Sequence, residues 1–179
     1  MRSLASRLNV HFVRCAAIAT SLGSGGERAA ATVHWQLGVN INIPSNISGV
    51  YLNVVTGAFG ASASQVPGWT INPWGYAGLS FWISTSPTST QHIMRTGGGA
   101  VARLADSDIV GPSTIYGGWS NSNLDAAITG NQPFVPFTTN HYGFRFLYNG
   151  GVHYGWAAIH VGSSLSAQRR TLVDYAWED

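Results

Sequence analysis

Six Trp and Tyr residues, Trp69, Trp74, Tyr76, Trp82, Tyr116 and Trp119, fall in the middle third of the chain, several of them beside Gly, Pro or Asn. Exposed Trp and Tyr rings stack on sugar rings and other extended polymers, and contiguous exposed rings mark binding patches. Trp74 and Tyr76 flank Gly75 just after Pro73. Proline cannot donate to a continuing ladder, so these two rings are expected at the end of a sheet. Trp119 sits in the run Gly117-Gly118-Trp119-Ser120-Asn121, which favours a turn. Trp74, Tyr76 and Trp119 are therefore the candidate ligand-binding residues. The competing reading places the same rings in the core of a domain without disulfides.

Other chemistry has less support. From Thr32 onward there are five histidines, His34, His92, His141, His153 and His160. A metal site needs two or three of them to converge. His153 and His160 are expected on opposite faces of one strand, and His141 and His160 could pair only if a Gly150-Gly151 turn joins their strands. No metal or cofactor is assigned. Asp106-Ser107-Asp108 has the start of a calcium-loop spacing, but no bidentate Glu follows at loop distance, and a capped turn is the plainer reading. A glycosidase needs two carboxylates flanking the scissile bond. Asp174 and Glu178 share a strand face but stand about 13 Å apart along it, too far for either glycosidase geometry; Asp125, expected on a loop, is a candidate partner. There is no G-x-S-x-G elbow, so no catalytic residue is assigned.

Composition narrows the class. The 179 residues are one domain's worth, with 12% aromatic and 9% charged residues, the latter far below the roughly 25% of ordinary globular domains. Every basic side chain is Arg. Four of them against Glu27 make the first 31 residues basic, whereas from Thr32 on five Arg meet six acids. A nearly neutral body offers no basic stripe for phosphates, which argues against nucleic acid as a partner. The single cysteine, Cys15, lies before that body.

Residues 1–31 have the features of a secretory signal: Arg2, Arg7 and Arg14, a short apolar run at 15–22, and Ala29-Ala30-Ala31 as a cleavage site. The alternative is an N-terminal tail. The apolar run is too short to span a membrane. Residues 32–179 form the expected single domain, secreted or held at the periplasm or cell surface.

The body reads as short strands and turns. Val33 to Asn42 alternates, placing Val33, Trp35, Leu37, Val39 and Ile41 on one face. Strands are expected at 50–55, 69–74, 79–83 and 171–178, with weaker ones at 91–95 and 133–137. A short helical turn is allowed within 101–109. The strongest signal is His141 to Val161, two strands on an Asn149-Gly150-Gly151 turn. With Asn149-Gly150 or Gly150-Gly151 as central residues, Phe144, Phe146, Gly155, Ala157, Ile159 and Val161 share the core face. Arg145, Leu147, Tyr154, Trp156, Ala158 and His160 then share a half-solvated one. A three-residue turn would reverse this. The fold expected is all-β, a two-sheet antiparallel β-sandwich of jelly-roll or Ig-like topology.

Gly143-Phe144-Arg145-Phe146, His153-Tyr154-Gly155-Trp156-Ala157 and Val173-Asp174-Tyr175-Ala176-Trp177-Glu178 resemble a set of uncharacterised secreted bacterial proteins with a GFRF…YGWAR…DYAYE pattern. Gly68 to Trp74 is similar to their GWDINPW element. Many such proteins end in a PEP-CTERM sorting segment. Here Ala158 stands where those proteins have Arg, and no such segment follows Glu178, so exosortase anchoring is not expected. The resemblance implies export and a β fold but no activity. The function expected is a non-catalytic extracellular or envelope protein that binds a polysaccharide or other uncharged polymer, or packs into a surface assembly. The alternative is a hydrolase acting on such a polymer.

Overall fold

The computed structural model describes residues 14–15, 31–83, 91–93, 99–117, 122–130, 133–167 and 169–179, with backbone only at 14–15, 83, 91–93 and 122–124. Its strands are β1 (Arg14–Cys15), β2 (Val33–Gln36), β3 (Ile41–Ile43), β4 (Tyr51–Leu52), β5 (Phe59–Gly60), β6 (Pro73–Trp74), β7 (Ser80–Ile83), β8 (Gln91–Ile93), β9 (Ile109–Val110), β10 (Ser122–Asp125), β11 (Thr139–Tyr148), β12 (Gly151–His160) and β13 (Arg170–Glu178). The fold is all-β, and the only helical turn among the described residues is the 3-10 turn Ala63–Gln65.

The β11–β12 hairpin forms the middle of the largest sheet. Tyr148 pairs with Gly151, so Asn149 and Gly150 are the two central turn residues. Their φ values, 49° and 77°, are both positive, as a type I′ turn requires, and that turn matches the twist of the flanking strands. The sheet runs β2-β13-β12-β11-β8, with β3 also paired to β13. Phe144, Phe146, Ala157, Ile159 and Val161 are fully buried on the expected core face. The Phe, Ile and Val side chains among them each contribute roughly 1.5–3 kcal/mol by leaving water. Phe81, from a second antiparallel sheet β10-β7-β6, packs on this face, its ring 4.6 Å from that of Tyr142.

The other face of the hairpin is not half-solvated at its centre. Trp156 and Ala158 are buried there with Ala176, under Leu104, Val110 and Tyr116. The segment 101–117 that supplies this cover contains no helix. Its covering side chains are six residues apart, so no period marked it as a covering layer.

The expected strand 33–42 is broken in two. Gly38 and Asn40 take φ values of 68° and 50°, and the main chain bulges against Asp174, whose Oδ1 accepts from Gly38 N at 2.6 Å. Leu37 is exposed. A register shift in β13 at Val173 adds to this, so Trp35 and Ile41 do not share a face. Trp35 meets Trp156, whereas Ile41 joins the main core. Residues 133–137 form a turn and not an edge strand. The buried Asn140 side chain holds that turn, accepting from Val135 N at 2.7 Å and donating to the Val135 and Thr138 carbonyls.

Candidate ligand-binding cleft

Pro73 and Trp74 form the edge strand β6 of the smaller sheet, where a missing N–H does no harm. The chain then turns through Gly75–Leu79 into β7. Gly75 has φ 140°, and any Cβ on it would overlap the Gly78 carbonyl, so only glycine closes this turn. Gly49 packs equally tightly against Pro73 and Trp74. Gly75 N donates to Asn46 O at 3.2 Å, and Ser45 Oγ donates to Tyr76 O at 3.1 Å.

Beneath the turn sits Arg170, the largest fully buried side chain among the described residues. Its Nη1 donates to Gly78 O and to Leu165 O, and its Nη2 donates to Pro44 O at 2.9 Å and Gly75 O at 2.8 Å. Burial lowers its pKa from the usual guanidinium value. Arginine nevertheless stays charged in proteins, and carbonyl dipoles from three segments solvate this cation in place of water. Sequence reasoning did not single out Arg170, because charge alone gives no signal that an Arg is internal.

Across the smaller sheet, Trp74 pairs with Ser80 and Ser80 with Asp125. Directly paired residues share a face, so an indole, a hydroxyl and a carboxylate stand in one row. Ser80 Oγ donates to Asp125 Oδ1 at 2.6 Å. The row and the 75–78 turn line a cleft of about 430 Å³. Tyr76 is 74% exposed on it, Trp74 is half-buried, and the Trp74 Nε1 is buried with no hydrogen-bond partner among the described residues. Trp74 and Tyr76 thus lie at a sheet end and in one cleft. Trp119 lies outside the described residues. Of the other aromatics, Trp69 and Tyr116 are buried. Asp125 ends a strand instead of lying on a loop.

The remaining candidates are dispersed. His141 pairs with Ala158 and His160 with Thr139, so the two histidines are not cross-strand partners. His153 packs between Phe146 and Trp177, its ring nitrogens meeting Glu178 O and Tyr148 O. Asp108 caps its own turn by accepting from Ala105 N. No group of three His, Cys, Asp or Glu among the described residues is placed to hold a metal. A second cleft of about 350 Å³ is lined by Arg103, Leu104, Asp106, Thr138, Thr139 and His141, among others. Among the described residues, no helix is long and apolar enough to cross a membrane. No protein-family model matches the chain, and no curated protein and no solved structure is found similar to it.

Proposed function

We propose that the chain is a non-catalytic, exported module that binds an uncharged extracellular polymer at the Trp74–Tyr76 cleft, on a domain of β-sandwich type. The observation that carries this reading is that exposed Tyr76 and half-buried Trp74 line one cleft, beside a turn held from below by Arg170. Rings fixed on a rigid support lose little freedom on binding. Among the described residues, no basic side chain lines the cleft, so none of them offers a polyanion a counter-charge. Asp125 is the only carboxylate among the lining residues, whereas glycoside hydrolysis uses two. The sandwich reading is supported by the contact of Phe81 with Tyr142 between the two sheets. Export rests on the basic, Ala-terminated segment 1–31.

Calorimetric titration with cello-, manno- and laminari-hexaose tests the reading. Binding should vary little with salt and fall on Tyr76→Ala, Trp74→Ala or Trp119→Ala while the melting temperature holds. If none of the three sugars binds, or if all three variants bind as wild type does, the reading is wrong. A hydrolase is the second reading, favoured by one observation: Asp106, His141, Thr138 and Thr139 share the second cleft. Release of reducing sugar that disappears in His141→Ala or Asp106→Asn would establish it.

A further inference from the structure

The row Trp74–Ser80–Asp125 specifies more than a stacking surface. Ser80 donates to one carboxylate oxygen of Asp125 and fixes the plane of the group. The other oxygen, Oδ2, meets no donor among the described residues, and the side chain is exposed at the cleft. An ionised carboxylate only accepts hydrogen bonds, at about four lone-pair sites. A ligand that displaces water from this oxygen must therefore bring donors to it. Two ligand chemistries do so beside aromatic rings, a pair of sugar hydroxyls or an ammonium group. An ammonium binds best when ring faces enclose it and exclude water. Here Trp74 is half sunk into the wall and Tyr76 stands 74% exposed, which makes an open platform and not an enclosure. The body of the chain, with five Arg against six acids, supplies no strong field to gather cations.

We infer that Asp125 is the specificity-determining residue of this cleft, and that the ligand is an uncharged glycan presenting a free vicinal diol to the Asp125 carboxylate while a sugar ring stacks on Tyr76. This rests on the binding role proposed for the cleft. Ser80 acts as a positioning residue, holding Asp125 in one orientation.

The test is calorimetric titration of wild type, Tyr76→Ala, Ser80→Ala and Asp125→Asn with the three uncharged hexasaccharides, their per-O-methylated forms, tetramethylammonium and a glucosamine hexamer. Asp125→Asn should weaken binding about tenfold, the scale of one hydrogen bond to a charged group. Ser80→Ala should weaken it less. Per-O-methylation should cost wild type at least as much as Asp125→Asn does. It should cost the Asp125→Asn variant clearly less, because the two changes remove the same contact. If Tyr76→Ala abolishes binding while Asp125→Asn binds as wild type does, this inference fails and the stacking cleft stands. If no hexasaccharide binds wild type, both fail. If tetramethylammonium or the glucosamine hexamer binds more tightly than every uncharged sugar, and salt weakens it, the diol assignment is overturned.

Discussion

Gly155 of β12 lies under the ring of Phe144 on the paired strand β11: a Cβ built on Gly155 would stand 2.5 Å from Phe144 Cζ and 2.5 Å from the Ala176 carbonyl oxygen. Neither neighbour can give way cheaply, since one is a fully buried ring and the other is main chain. Gly155→Ala should therefore cost about 1–3 kcal/mol by overpacking. Phe146→Ala should cost about 3–5 kcal/mol through the cavity it leaves. Arg145, whose guanidinium lies 4.5 Å from the Tyr116 ring centroid, should lose less than Phe146 on change to Ala. Urea denaturation of the three variants checks the order, and a neutral Gly155→Ala would contradict the close approach of Phe144.

Arg170 should prove one of the most sensitive positions in the domain. Arg170→Ala removes donors to four main-chain carbonyls at once, and a cost of about 3 kcal/mol or more is expected. The vacated space keeps its ring of carbonyl oxygens, so millimolar guanidinium should restore part of the loss in the variant and do nothing for wild type. Thermal melts with and without guanidinium decide this. A variant that melts like wild type would show that the guanidinium carries no weight.

Tyr142 is fully buried, and its hydroxyl has no hydrogen-bond partner among the described residues. Burial drives its pKa far above the usual phenol value, and raises that of Tyr175. A raised folded-state pKa means the native state holds its proton longer. This contribution is complete below the unfolded-state value of about 10 and is lost as pH rises above it. Absorbance at the tyrosinate band should show the Tyr142 phenol titrating only together with loss of circular dichroism. Tyr142→Phe should remove an unsatisfied hydroxyl, raise stability by about 1 kcal/mol and shift the alkaline transition upward.

Asp179 closes the chain onto the start of the domain. Its Oδ2 meets His34 Nε2 at 3.1 Å and its Oδ1 accepts from Thr32 N at 2.8 Å. The His34 hydrogen bond, and after it the Thr32 N–H, hold the Asp179 carboxyl below the usual carboxylate value. A depressed folded-state pKa adds stability that is present above the unfolded-state value and lost as pH falls through the folded one. Carbon NMR titration should show the depression in wild type and a smaller one in His34→Ala, where the Thr32 N–H remains. Cleavage after Ala31 on export would place the new α-ammonium of Thr32 at that same carboxylate. The exported protein should then have the intact mass of a chain starting at Thr32, and its Asp179 should titrate lower than in the uncleaved chain.

Turn chemistry and side-chain alternation were legible in the sequence, because both act within a few residues. Asn149-Gly150 could be recognised as a turn because positive φ at both positions favours those residues, and the two faces of β11 and β12 follow from the period of two. Pro73 and Gly75 likewise placed Trp74 and Tyr76 at a sheet end. The row that joins Trp74 to Ser80 and Asp125 was not legible. Ser80 and Asp125 are 45 positions apart, and the register between such strands is set by how Phe81 and its neighbours pack, which no local pattern encodes. For the same reason nothing in the sequence showed that Leu104, Val110 and Tyr116 would cover Trp156. Nor did it show that a bulge at 37–40 would send Trp35 and Ile41 to different clusters, or that Arg170 would lie buried. The composition and the local periods determined an all-β chain of low charge. The tertiary structure alone decided which distant side chains meet, because burial couples residues through space and not along the chain.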